Sequence, residues 1–508
     1  MHRKTLAACI AATFAVAAHA ETATGPSTQT APYLVPTQPG VGVVSILTVG
    51  DSVNARPDGT PYRMVGTPDG LGAFDNHDGT FTLLVNHEIN AGVGVPRAHG
   101  GTGAFISKWV INKSTLQVSH GEDLIKVAYG WNGAAWAPLA GAKNNFSRFC
   151  SADLPEASAF FDERTGRGTP ERIFMNGEES GSEGRAFAHV VTGDYAGKSY
   201  DLPWLGRFSW ENSVARPRSG AKTIVAGLDD SGNGQVYFYV GDKTTAAHPV
   251  EAAGLTNGRL YGLKVELGAG QFLEANDSTV PKGTRFTLVD LGSVGSLTGA
   301  QLEALSNTKL VSGLQRPEDG SWDPADPTRF FFNTTAAFNG ISRLWELDFD
   351  DPRDVTRGGT IRIVAQSPAF DAAKANIDQP GPRMLDNLTV DRRGTVLAVE
   401  DVGNNDYVGG VWRIDPRSGS VLKVAEHDRD RFAPGAANFL TRDEEASGVI
   451  PLKGIRGDGW YLIDVQAHYG IAGELVEGGQ LLALRVPVGK RDGRDDHDGH
   501  DDEDGRHE

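Results

Sequence analysis

The chain has 508 residues and a formal charge of −17, and an acidic excess of this size repels nucleic acid and excludes a binder of phosphate backbones. Its 64 glycines and 26 prolines punctuate the sequence so often that no long stretch keeps a helical period.

The first element is a secretory signal predicted over residues 1–20. Met1-His2-Arg3-Lys4 is basic, Leu6 to Ala18 is apolar, and Ala18-His19-Ala20 has the small-x-small form of a cleavage site. The expected location is therefore the periplasm or the exterior. No later segment reaches the roughly 20 apolar residues that a bilayer span requires. Cleavage removes Cys9 and leaves Cys150 alone, so no intramolecular disulfide is expected. The plain expectation for Cys150 is a small buried hydrophobe.

Residues 21–488 read as one all-β domain. Short β-rich runs follow Gly, Asp or Asn punctuation: Thr80 to Val85, Arg172 to Met175, Gln235 to Val240, Arg329 to Phe332, Thr395 to Val399 and Trp460 to Ile463. Most are followed by a second strand, such as Gly258 to Val265, Ser342 to Leu347 or Gly410 to Asp415. Six loosely repeating units of this kind predict a six-bladed β-propeller with large loop insertions. A sandwich has too few strands for this count. Only the segment around Leu297 to Leu305 reads as a short helix. Residues 489–508 carry nine acids, four bases and no apolar side chain, which predicts a disordered acidic, His-bearing tail.

The chemistry lies after the apolar runs. Val85 leads to Asn86-His87-Glu88, Met175 to Asn176-Gly177-Glu178-Glu179, Val240 to Gly241-Asp242, Val399 to Glu400-Asp401, and Ile463 to Asp464, Gln466 and His468. If each run is an innermost strand, these ends converge on one mouth of the central channel. Arg316-Pro317-Glu318-Asp319, Asp386-Asn387 and Glu444-Glu445 add polar groups from preceding loops. Converging carboxylates repel one another unless cations sit among them. A donor set made mostly of oxygens favours calcium or magnesium, with iron or manganese still open. Other metal and nucleophile motifs are absent. The loop from Asp229 to Gly234 has Val240 where an EF-hand needs a glutamate, His87-Glu88 has no second histidine four residues on, and no G-x-S-x-G occurs.

Gly79 to Glu88, Glu178-Glu179, Arg316-Pro317-Glu318-Asp319, Asp386-Asn387, Glu400-Asp401 and Glu445-Ala446-Ser447-Gly448 together resemble the landmarks of PhoX-type alkaline phosphatases. The resemblance spans most of residues 35–470 and implies a six-bladed propeller that hydrolyses phosphate monoesters with ferric and calcium ions. It implies metal-binding roles for Glu178, Glu179 and Glu318, a late calcium ligand in Glu445, and a phosphate-holding role for Arg316. Glu88, Asp242 and Glu400 are assigned to metal from position alone. Gly177 stands where the family carries an iron-ligating cysteine, so calcium is the expected cofactor and iron is in question unless Cys150 approaches from a neighbouring loop. The expected function is an exported phosphomonoesterase, monomeric and acting on a small phosphorylated substrate. The alternatives are a non-catalytic calcium-stabilised propeller and a propeller lactonase or esterase.

Overall fold

The computed structural model describes residues 20–488. The signal segment (but for Ala20) and the tail 489–508 lie outside the described residues. Within them the chain is an all-β propeller. Its innermost strands are β1 (Pro68–Asp75), β2 (Phe149–Asp153), β3 (Trp210–Ala215), β4 (Pro317–Trp322), β5 (Leu385–Val390) and β6 (Glu444–Pro451). Each packs beside the next, and β6 packs beside β1, so the six close a ring around the axis.

Outward from each, the sheet grows by neighbours that pair antiparallel, except for parallel pairs at the outer edge of the second and last sheets. Thr80–His87, Phe105–Asn112 and Val118–Asp123 follow β1 in chain order. The sheets of β3 and β4 are joined at their outer edges, where Arg285–Gly292 meets Gly359–Gln366. The last sheet mixes both ends of the described chain. It runs from β6 through Trp460–Ile471 and Val476–Arg485 to Gly42–Thr48.

The conspicuous apolar runs are not the innermost strands, which corrects the reading from sequence. Thr80–His87, Ile173–Glu178, Arg329–Thr334, Val396–Glu400 and Trp460–Ile471 lie second in their sheets, and Val236–Asp242 lies third. Second strands are covered on both faces by neighbouring sheets, so apolar residues occupy consecutive positions. Phe330, Phe331 and Phe332 are all fully buried for this reason. Phe332 packs with Trp322, Trp345 and Phe349 in one inter-sheet core, while Phe331 joins the next core with Leu385 and Val396. Innermost strands carry an acid or a thiol at their second residue and little apolar pattern. The helix α1 (Gly299–Thr308) forms where expected, opened by a capping box in which Thr298 and Gln301 bond each other's backbone.

Candidate metal centre

The second residue of each innermost strand is a potential metal ligand: Asp69, Cys150, Glu211, Glu318, Asp386 and Glu445. These six side chains meet at the mouth where all six strands begin. In β1 to β5 the pairing with the second strand skips at this point. A bulge frees the residue from the ladder and re-aims its side chain. Four strands are entered through a left-handed, non-glycine residue two positions earlier. Thr67, Arg148, Arg316 and Met384 have φ of 46°, 47°, 60° and 45°. Such residues cost roughly 1–3 kcal/mol each and mark positions the surrounding structure over-determines.

Three groups of side chains each hold their ligand atoms within 4.8 Å of one another: Asp69, Glu88 and Cys150; Cys150, Glu179 and Glu211; and Glu211, Glu318 and Asp386. Cys150 joins the first to the second, and Glu211 joins the second to the third. The Cys150 thiol lies 3.2 Å from Asp69 Oδ2, and Ser151 donates to Glu211 Oε1 at 2.6 Å. Gln466 Nε2 donates to Glu88 at 2.9 Å and to Asp69 at 3.2 Å. Two arginines stand at the edge. Arg148 pairs with Glu88 Oε1 at 2.8 Å and with Glu179. Arg316 pairs with both oxygens of Asp230 at 2.7 and 2.8 Å and with Glu318 at 3.1 Å.

This crowding resists ionisation. Burial, and then the Glu445, Glu88 and Glu211 carboxylates, push Asp69 well above the usual carboxylate range. Burial and the Asp230 and Asp386 carboxylates do the same to Glu318, against the pull of Arg316. Glu211 is pushed up to about 8, chiefly by burial. The Cys150 thiol is raised by burial and by Asp69. Burial works against a charged His468, yet Glu445 and Glu477 push the imidazolium up to about 11. Asp386 Oδ1 and both Asp464 oxygens are buried without a hydrogen-bond partner. Buried carboxylates left unpaired in this way fit a bound cation. Oxygen-only neighbours suit calcium, and the groups that include the Cys150 sulfur suit a softer ion such as iron.

Of the residues named from sequence, Glu88, Glu179 and Glu318 come together in these groups, with Arg316 beside them. Glu445 sits in the ring, bonded by Ser447 and 3.8 Å from His468. Glu178 does not join them. Its oxygens take a fork from Arg185 at 2.6 and 2.7 Å. Glu400 is fully buried, and both its oxygens accept backbone amides, from Arg383 and from Gly410. Asp242 lies elsewhere, because it ends a third strand. That strand runs in the same sense as β3, so Asp242 pairs in register with Lys222 at the far end of the sheet. Strand parity decides this: only the starts of first strands and the ends of second strands reach the ring.

Asp69, Glu211 and Arg148 are the groups the sequence leaves unassigned; it offers Asp386 only as a polar group from a preceding loop and Cys150 only as a thiol that could approach from one. One signal was present. Arg148-Phe149-Cys150 and Arg316-Pro317-Glu318 have the same spacing, an arginine two residues ahead of a ligand. Gly177 lies opposite the β2 bulge, and a Cβ there would meet Trp210 Cβ at 2.3 Å. The thiol of this centre therefore comes from the innermost strand and has no room to come from position 177.

No family model matches the sequence, and a search of curated proteins finds no match. Among solved structures, PhoX of Pseudomonas fluorescens in complex with vanadate, a transition-state analogue, superposes with a TM-score of 0.57 at 12% identity. The match covers 92% of this chain and 97% of that one. An α-L-arabinanase of Penicillium chrysogenum, complexed with arabinobiose, gives a TM-score of 0.40 at 8% identity over 87% of this chain and 98% of that one. The first likeness shows a shared fold.

Proposed function

We propose that this chain is an exported, metal-dependent phosphoesterase acting on small phosphate monoesters. The observation that carries the reading is Glu211, a buried carboxylate shared by two ligand groups, with Arg316 beside the second of them. Cys150, Glu179, Glu211, Glu318 and Asp386 would hold one pair of cations, and Asp69 and Glu88, again with Cys150 within reach, would hold a further one. Bound cations of this kind polarise phosphoryl oxygens and lower the pKa of a coordinated water.

The residues of the chain supply the rest. Asp230 fixes the Arg316 guanidinium through two of its nitrogens. The remaining terminal nitrogen has no partner among the described residues, and the side chain is 36% exposed. A planar fork held this way suits a phosphate oxygen and the charge that grows on it during transfer. Buried oxygens without a hydrogen-bond partner at Asp386 and Asp464 leave acceptor positions that cations would fill. The fold shared with PhoX, whose structure holds vanadate, supports the same substrate chemistry.

The test is turnover of an aryl phosphate by the mature protein, with calcium added and with or without iron. Activity is expected, with loss on chelation and a fall of about 100-fold or more in kcat for Arg316→Ala. No turnover under any of these metal conditions overturns the reading. If chelation then still lowers the melting temperature, the chain is a calcium-stabilised binding module. Hydrolysis of carboxylic esters or lactones in its place would assign the centre to that chemistry.

A further inference from the structure

Arg148 occupies at β2 the place that Arg316 occupies at β4. Both are left-handed, both stand two residues ahead of a ring ligand, and both are partly exposed, at 40% and 36%. Their placement around the centre is also matched. Arg148 contacts Glu179, which shares a ligand group with Glu211, and Arg316 contacts Glu318, which shares the other. The two guanidiniums thus flank Glu211, the junction of the two groups.

Arg148 has donors to spare. A single terminal nitrogen makes both of its carboxylate contacts, while Nε is buried with no partner. The backbone of Arg148 is fixed on both sides: its amide donates to Ile89 at 3.0 Å, and its carbonyl accepts from Glu179 at 2.9 Å. A salt bridge alone would not need this arrangement. Glu88 and Glu179 are themselves members of ligand groups, and cations bound there would neutralise the charge that now holds Arg148.

We propose that Arg148 is a second anion-binding residue, gripping the phosphoryl group from the side opposite Arg316. The inference rests on the phosphoesterase reading and deepens it. Two guanidiniums match a dianionic monoester or free phosphate, with charge-assisted hydrogen bonds on each side.

The experiment is calorimetric titration of inorganic phosphate into the metal-loaded protein, with bound metal and melting temperature measured on the same samples. For Arg148→Gln the expected result is phosphate affinity at least about tenfold weaker with metal content retained, the scale of one lost charged hydrogen bond. Arg148→Lys keeps the charge but loses the fork, and is expected to fall between wild type and Arg148→Gln. Wild-type phosphate affinity in Arg148→Gln overturns the inference and leaves the phosphoesterase reading intact. Loss of bound metal from both variants also overturns it, since Arg148 would then serve only to balance Glu88 and Glu179. A wild-type protein that binds no phosphate removes both the inference and the reading beneath it.

Discussion

Glu211 shows how burial and crowding act on a single side chain. Its carboxyl is pushed up to about 8 by burial first, with Asp230 and Asp319 adding to the shift while hydrogen bonds from Ser151 and Cys150 oppose it. An unfolded glutamate titrates near 4.5. The folded state therefore favours the protonated form. The stability this contributes is fully present below about 4.5 and is lost as pH rises through about 8. Asp401, raised to about 7 by burial and Glu445, acts in the same direction. Metal-stripped protein is thus expected to melt at a lower temperature at pH 8.5 than at pH 5.5. Calcium should reverse the order, because cations favour the ionised carboxylates, and Glu211→Gln should flatten the slope. Scanning calorimetry of stripped and calcium-loaded samples reads all three outcomes. A stripped protein that gains stability on going to pH 8.5 would show that these carboxyls ionise without cost.

The innermost strand is the element on which the centre depends. Its second residue is a ligand, its ladder is broken by a bulge, and its neighbours approach closely. A Cβ on Gly70 of β1 would meet the backbone nitrogen of Ala152 on β2 at 2.3 Å. Glycine here lets two innermost strands touch and sets Asp69 beside Cys150, whose Sγ and Oδ2 lie 3.2 Å apart. Gly70→Ala is expected to destabilise the protein by about 1–3 kcal/mol, the usual cost of overpacking. It should also reduce bound cation by shifting the first ligand group. Urea titration and metal analysis together test this. A variant with full stability and full metal content would mean that the strands part without disturbing the ligands.

At the scale of the molecule, ring closure is made by the two ends of the described chain. Gly42–Thr48 pairs antiparallel with Val476–Arg485 and buries Val43, Ile46 and Leu47 almost completely. At roughly 1.5–3 kcal/mol for each fully buried apolar side chain, these three contribute about 5–9 kcal/mol. That is comparable with the whole stability of a typical domain. A chain beginning at residue 49 is expected to lose cooperative unfolding at 25 °C, as read by circular dichroism against urea. A truncated chain with a melting temperature near that of the full one would show that the ring closes by other contacts.

The sequence by itself determined the all-β character, the punctuated strands, the helix near residue 300, the polar strand ends with Glu88 and Glu179, and the Arg316-Pro317-Glu318 element ahead of another strand. These are local properties, carried by runs of neighbouring side chains and by capping and turn chemistry. Which strand lies at the axis was decided only by the tertiary structure. The apolar runs are the most visible in sequence because two sheets cover them, and that same covering places them one step out from the centre. Asp242 and Glu400 follow from this: one ends a strand of the wrong parity, and the other spends its oxygens on backbone amides. Asp69, Cys150, Glu211 and Asp386 are the second residues of innermost strands, which carry no long apolar run to mark them. They become a centre only because six such starts, hundreds of residues apart, meet around one axis.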